Sequence, residues 1–264
     1  MERLRYVARS SGADQGVLLR ETAGSLGTFR DDAPALVMAF RRMLSRHPTS
    51  APLWWLGSRV CTAVDPVREA WAAVEEYDED QTARELSWAL PEGGTICVLG
   101  WPEIVAEALP ARGDLNVLVV DAVGEGSGLV RRLRRSDVDA SDVPLSGLGA
   151  AVAESDVVLI EAVAVGPDTC LAIAGSLAAA AVAAHFSREV WLVAGVGRLL
   201  PGRLWDVVES RMHGSQAPWD REDDFLPLSL ITKVAGPSGV EDPEVGLRRV
   251  NCPIAPELFK EGIL

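Results

Sequence analysis

At Pro91-Glu92-Gly93-Gly94 the chain changes its hydrophobic rhythm, and that change narrows the architectures open to it. Before it, apolar residues recur at helical spacing, as in Ala35, Leu36, Met38, Ala39, Phe40, Met43 and Leu44, and β-branched runs are absent. Pro34 suits a first helical turn after Asp31 and Asp32. His47-Pro48-Thr49 ends that helix and starts another carrying Leu53, Trp54, Leu56 and Val60. The acidic stretch from Glu75 to Asp80 reads as a solvated loop. Beyond the glycine pair come short β-branched runs separated by helices, at 95–99, 116–121, 142–145, 156–160, 190–194 and 228–234. Continuous apolar strands alternating with helices predict a parallel sheet covered on both faces, with ligands bound beyond the strands' carboxyl ends. The expected fold class is α/β: a helical N-terminal domain over residues 1–92, then a mostly parallel, doubly wound sheet over residues 93–264.

A chain of 264 residues, 48% hydrophobic and 24% charged, can bury a sizeable core and does not have the composition of a disordered protein. Its formal net charge of −13 repels polyanions, so no nucleic-acid partner is expected. Arg131, Arg132, Arg134 and Arg135 form the one dense basic patch and read as a solvated helix face. Cys61, Cys97, Cys170 and Cys252 are far apart, and His47, His185 and His213 have no neighbour at metal-ligand spacing. Neither a metal site, a disulfide framework nor a cofactor is expected, and the cysteines read as buried reduced thiols. The start of the chain, MERLRYVARSSG, lacks the apolar stretch of a secretory signal. The apolar run from Leu171 to Ala184, interrupted by Gly175 and Ser176, reads as a buried helix rather than a span of roughly 20 residues through a bilayer. A cytoplasmic protein with no membrane association is the expectation.

Three loops at strand ends could carry chemistry. The first, from Asp121 to Gly128, offers Gly124, Gly126 and Ser127 as ligand-binding candidates, because glycines and a helix start favour an anion such as phosphate. It lacks the dinucleotide spacing G-x-G-x-x-G and carries Glu125, which would repel phosphate; a simple tight turn is the other reading. The second holds Glu161, Asp168 and Cys170, a set able to transfer protons, although Asp168 also suits a helix cap and Cys170 the start of an apolar helix. The third places Arg198 where it could grip a phosphate or carboxylate, or simply lie at the surface. Glu154 and Asp156 precede a strand on the side away from the ligand crevice and look structural.

His47-Pro48-Thr49-Ser50-Ala51-Pro52-Leu53, followed by Arg59-Val60, resembles the (Arg/His)-Pro-Thr-Ser-x-x-Leu…Arg-Val helix start of the initiation factor 2B α/β/δ-like family. That family includes aldose–ketose isomerases acting on methylthioribose 1-phosphate and ribose 1,5-bisphosphate. The likeness continues through Leu90–Ile96, Glu125–Leu133, Gly175-Ser176, Trp191–Ala194 and Pro227–Ile231. It implies a helical domain, a Rossmann-like domain, and assembly as a homodimer or hexamer. Four departures bear on function. Where isomerase members carry Thr-His-Cys-Asn after the first strand, this chain has Val98-Leu99-Gly100-Trp101. The family's catalytic aspartate falls at Ala162 or Val163, its Glu-Ser-Arg-Pro loop at Asp121–Gly124, and its Asn-Lys-Ile-Gly-Thr at Ala172–Ser176.

A phosphate needs charge-assisted partners, and these replacements remove them together. The expected function is therefore a non-catalytic, regulatory or scaffolding member with no assigned catalytic residue. It would self-associate, bind a small phosphorylated metabolite or nucleotide, or engage a protein partner. The alternative is a sugar-phosphate isomerase with relocated groups: Glu161 or Asp168 as base, Cys170 as acid and Arg198 on phosphate.

Overall fold

The computed structural model describes residues 15–29, 32–213 and 217–259. Asp31 as a helix-start residue and the segment MERLRYVARSSG lie outside the described residues. Among the described residues five α-helices precede the first strand: α1 (Gln15–Ser25), α2 (Ala33–Arg46), α3 (Ala51–Thr62), α4 (Pro66–Asp78) and α5 (Thr82–Ala89). Asp32 caps α2 by accepting the Ala35 N–H at 2.9 Å, and Pro34 occupies the first turn, where its missing donor does no harm. Helix α3 is apolar almost all round and forms the centre of the helical layer, with Leu53, Trp54, Trp55, Leu56 and Val60 fully buried. The Trp54 indole N–H satisfies itself on the Pro48 carbonyl at 2.9 Å.

The sheet contains β1 (Thr95–Leu99), β2 (Asn116–Asp121), β3 (Asp139–Pro144), β4 (Val157–Val165), β5 (Thr169–Ile173), β6 (Glu189–Val193), β7 (Asp223–Pro227), β8 (Lys233–Gly236) and β9 (Gly239–Glu241). Between and after these strands run α6 (Glu103–Ala108), α7 (Gly126–Arg135), α8 (Leu148–Glu154), α9 (Ser176–His185), α10 (Gly202–His213) and α11 (Pro243–Gly246). The spatial order is β3-β2-β1-β4-β6-β8-β9, parallel except for β9. Counting parallel strands only, this is the Rossmann order 3-2-1-4-5-6, which reverses direction between β1 and β4. Side chains alternate as a twice-covered sheet requires. Cys97 and Leu99 of β1 face a core shared with α8 and α9, whereas Ile96 and Val98 face one shared with α5, α6 and α7. Strand β4 outgrows its parallel neighbours; past a bulge at Ala162–Ala164 it pairs antiparallel with β5, which pairs in turn with β7. This side ladder, with Leu200, Leu204 and Trp205, packs against the helical layer: Ala164 and Leu171 share a core with Phe40, Leu53 and Trp54.

Four local expectations are corrected. Glu75–Asp80 is not a loop to its full extent, because α4 runs to Asp78; Ala70, Ala73, Val74 and Tyr77 keep one stripe turned inward despite the acidic residues between them. Leu171–Ala184 is not one helix: Leu171–Ile173 complete β5, Gly175 turns the chain at φ +98°, and the helix starts at Ser176. Asp168 accordingly caps no helix and sits in the β4–β5 turn, while Cys170 lies in a strand. The run 228–234 is not one strand: it starts after β7 with a single turn at Leu228–Leu230, and only Lys233 and Val234 belong to β8.

Candidate functional site

Where the strand order reverses, the carboxyl ends of β1 and β4 open the crevice in which such sheets bind ligands. Here the crevice is filled from within. The Glu161 carboxylate, near the point where β4 leaves the parallel sheet, accepts the N–H groups of Ile104 at 2.8 Å and Val105 at 3.1 Å with one oxygen. Its other oxygen pairs with the Arg198 guanidinium at 3.0 Å; the two side chains are 7% and 6% exposed. Arg198 also donates to the Ala162 carbonyl, and Glu103 lies 3.7 Å away. Burial works against the guanidinium charge, but Glu161, Glu103 and Asp80 outweigh it and hold Arg198 protonated. Tyr77 of α4 completes the group from the helical layer. Its phenol is pushed up by burial, which outweighs the opposing effect of Arg198.

Asp80, between α4 and α5, fixes the next loop. One oxygen accepts the Thr82 N–H at 2.9 Å and hydroxyl at 2.6 Å, the other the Val196 N–H at 2.9 Å. Gly195 leaves room for this contact, because a Cβ would stand 2.3 Å from the Asp80 carboxylate.

Two further helix starts along this edge are likewise held by the chain's own carboxylates. Asp121 accepts the Gly126 N–H at 3.0 Å at the start of α7. Asp224 accepts those of Gly175 at 2.8 Å and Leu177 at 3.1 Å at the start of α9. Of the ligand-binding candidates, Gly126 is thus committed to Asp121, Gly124 is exposed at φ +85°, and the Ser127 hydroxyl accepts only a long bond of 3.4 Å from Arg131. Arg198 grips a carboxylate, as the sequence allowed, but that carboxylate is Glu161.

Of the candidate catalytic set, only Glu161 meets Arg198. Asp168 is exposed in its turn, and neither it nor Cys170 makes a side-chain hydrogen bond or ion pair among the described residues. Burial pushes the Cys170 thiol up to about 12. Cys97, inside β1, is also buried with its thiol pushed up to about 12, and cannot stand in for the cysteine that Gly100-Trp101 lacks. The replaced positions come together as an apolar surface. A Cβ on Gly100 would meet Ile173 at 2.7 Å and Val123 at 3.9 Å, and one on Gly175 would meet Leu99 and Leu145. Trp101, Val123, Leu145 and Leu177 are exposed around it.

A different feature of this edge escaped sequence reading: a cavity of about 360 Å³ between the α4–α5 corner and the ends of β6 and β8. Its charged lining is Glu76, Glu79, Asp80, Glu241 and Arg249. Among the described residues no group of His, Cys, Asp and Glu is arranged to hold a metal ion, and no helix is long and apolar enough to cross a membrane.

Fold and edge together define a class: a helical layer joined to a Rossmann-order sheet whose crevice holds an internal ion pair. Comparison with solved structures gives relatives for the fold alone. The translation initiation factor eIF-2B of Pyrococcus horikoshii OT3 superimposes with a TM-score of 0.74 at 15% identity, over 92% of this chain and 96% of that one. The eIF2B beta subunit of Chaetomium thermophilum gives 0.67 at 17% identity, over 91% and 85%. A chain of the tetrameric eIF2B-beta2-delta2 complex of C. thermophilum gives 0.69 at 18%, over 89% and 86%. The resemblance to initiation factor 2B seen in the sequence therefore holds at the level of the fold. No protein-family model and no curated protein sequence matches the chain.

Proposed function

We propose that this chain is a non-catalytic, initiation factor 2B-like protein with a regulatory or scaffolding role in the cytoplasm. The observation that carries the reading is the commitment of Glu161. A general base must reach a substrate proton, and this carboxylate spends its oxygens on two backbone N–H groups and a buried guanidinium. The isomerase alternative is supported by the Glu161–Arg198 contact alone, since Asp168 and Cys170 stand apart from it. Self-association, as a homodimer or larger ring, is supported by the exposed apolar group of Trp101, Val123, Leu145 and Leu177, and by the tetrameric assembly of a structural neighbour. The same surface would serve a protein partner. We also propose residues 1–92 and 93–264 as two domains docked through the core that Ala164, Leu171 and Trp205 share with Phe40 and Trp54. Small-molecule binding is supported by the cavity beside β6 and β8, whereas the capped helix starts count against a phosphorylated ligand.

The test is turnover. Purified protein incubated with ribose 1,5-bisphosphate or methylthioribose 1-phosphate is expected to give no ketose product. Product formation that Glu161→Gln abolishes would replace this reading with the isomerase one.

A further inference from the structure

We propose that the cavity between the α4–α5 corner and the ends of β6 and β8 binds a small organic cation of the amine or guanidine class, and not a phosphorylated compound. The proposal deepens the ligand-binding part of the function proposed above and takes from it only that the chain binds rather than converts.

Position and size come first. The cavity lies beyond the carboxyl ends of two parallel strands, where open α/β sheets take their ligands. At about 360 Å³ it falls at the small end of the roughly 300–1,000 Å³ that small-molecule sites occupy. Glycines at 195, 197 and 236 line it, leaving main chain within reach of a ligand.

Charge then selects the class. Arg249, the guanidinium in the wall, is already gripped by both oxygens of Glu241 at 2.5 and 2.6 Å. Glu76 shares Arg59 with Glu69, so that guanidinium is also committed and brings no spare positive charge to the cavity. Glu79 and Asp80 make no ion pair among the described residues, and the donors on Asp80 are neutral. A cation entering here meets four carboxylates against the single arginine of the wall, and of these the exposed carboxylate of Glu79 has no partner among the described residues. A phosphate meets like charge and no uncommitted guanidinium. Nor does the rest of the edge offer it a place, since Glu161, Asp121 and Asp224 already hold the backbone donors that bind anions in related architectures.

Titration calorimetry on the full chain decides the matter, with putrescine and spermidine as cationic probes and inorganic phosphate and ribose 5-phosphate as anionic ones. Saturable one-to-one binding of a cationic probe is expected, with no heat from either anion. Glu79→Gln should weaken the cation about tenfold, equivalent to about 1.4 kcal/mol. Glu154→Gln makes the same charge change at the exposed last residue of α8, at the opposite edge of the sheet, and should leave affinity unchanged. Equal weakening by both variants would mean that the probe senses only the net charge of −13, and the proposal fails. It fails too if neither amine saturates or if a phosphate does. Gly236→Leu, which fills the cavity, should abolish binding; should that variant not fold, the two glutamate variants still decide. Failure here leaves the non-catalytic reading standing, because that reading falls only on turnover.

Discussion

Replacing Arg198 with methionine removes the positive half of the pair in the crevice while keeping most of its apolar stem. Glu161 stays behind with a side chain 7% exposed, and the two N–H groups of α6 only partly compensate it. Breaking a buried pair from one side costs about 3–5 kcal/mol, chiefly because the remaining charge is stranded. Unfolding entropy near Tm is about 2.1 cal/mol/K per residue, so for 264 residues this loss corresponds to a fall in Tm of about 5–9 °C. A second substitution makes the reasoning specific. Glu161→Gln in the Arg198→Met background keeps an amide oxygen for Ile104 and Val105 but removes the stranded charge, and should recover about 1–3 kcal/mol. Differential scanning calorimetry and urea unfolding of the four proteins of this cycle give both numbers. A single Arg198→Met variant within 1 kcal/mol of the parent, or a double variant less stable than the single, would refute the account of a crevice held by internal charge.

Three further outcomes follow from other parts of the molecule. Asp223 on β7 is pushed up to about 7 by burial, with Glu222 and Asp224 adding to the effect, so the folded state holds its proton where the unfolded chain has lost it. Its folded pKa is raised, so its contribution to stability is greatest below about pH 4 and declines by up to about 1.4 kcal/mol per pH unit as pH rises towards 7. Asp223→Asn should flatten this decline in urea unfolding measured from pH 4 to 8. Gly195→Ala should destabilise by about 1–3 kcal/mol in the same assay, because its Cβ would lie 2.3 Å from Asp80 and 2.7 Å from Ile104. The thiols of Cys61, Cys97, Cys170 and Cys252 are each pushed up to about 12, with burial the leading cause. At pH 8 about one thiol in ten thousand is then ionised. An aromatic disulfide reagent should consume no thiol in the native protein within minutes and all four in guanidinium.

The large-scale reading succeeded where one-dimensional signals suffice. A change from period 3.6 to β-branched runs marks the passage from α5 to β1, and β2 spans the residues its sequence suggested. The failures share a cause: pairing partners distant in sequence decide the outcome. Leu171 is apolar enough for a helix and becomes a strand because β4 and β7 flank it. The site was less legible for the same reason. Glu161 and Arg198 could each be singled out as charges at strand ends, but 36 residues separate Ala162 from the Arg198 side chain that caps its carbonyl. The Asp80 contact with Val196 spans 116 residues. Asp80 passed for a solvent-facing acid because nothing local distinguishes a carboxylate in water from one that holds a distant backbone N–H. A detectable signal did exist in the inward stripe Ala70, Ala73, Val74 and Tyr77, which carries the acidic stretch against the sheet.

The carboxylates along the edge occupy backbone donors that a phosphate would otherwise use. An anion at a helix start gains about 0.3–1 kcal/mol from the exposed N–H groups, up to about 2 when partly buried. Asp121 and Asp224 collect that gain at α7 and α9 without the translational entropy a free metabolite loses, because the fold already holds them there. Glu161 does the same for the Ile104 and Val105 donors and adds a buried guanidinium. A phosphorylated ligand would therefore have to displace a tethered anion before making its first contact, and would return the displaced carboxylate to a cleft already rich in negative charge. Introducing a single arginine or lysine in the Asp121–Gly124 loop would not change this while the internal carboxylates remain. On the function proposed above, ligand response would be directed to the cavity beside β6 and β8, where acidic side chains border open space, and association to the exposed apolar group of Trp101, Val123, Leu145 and Leu177.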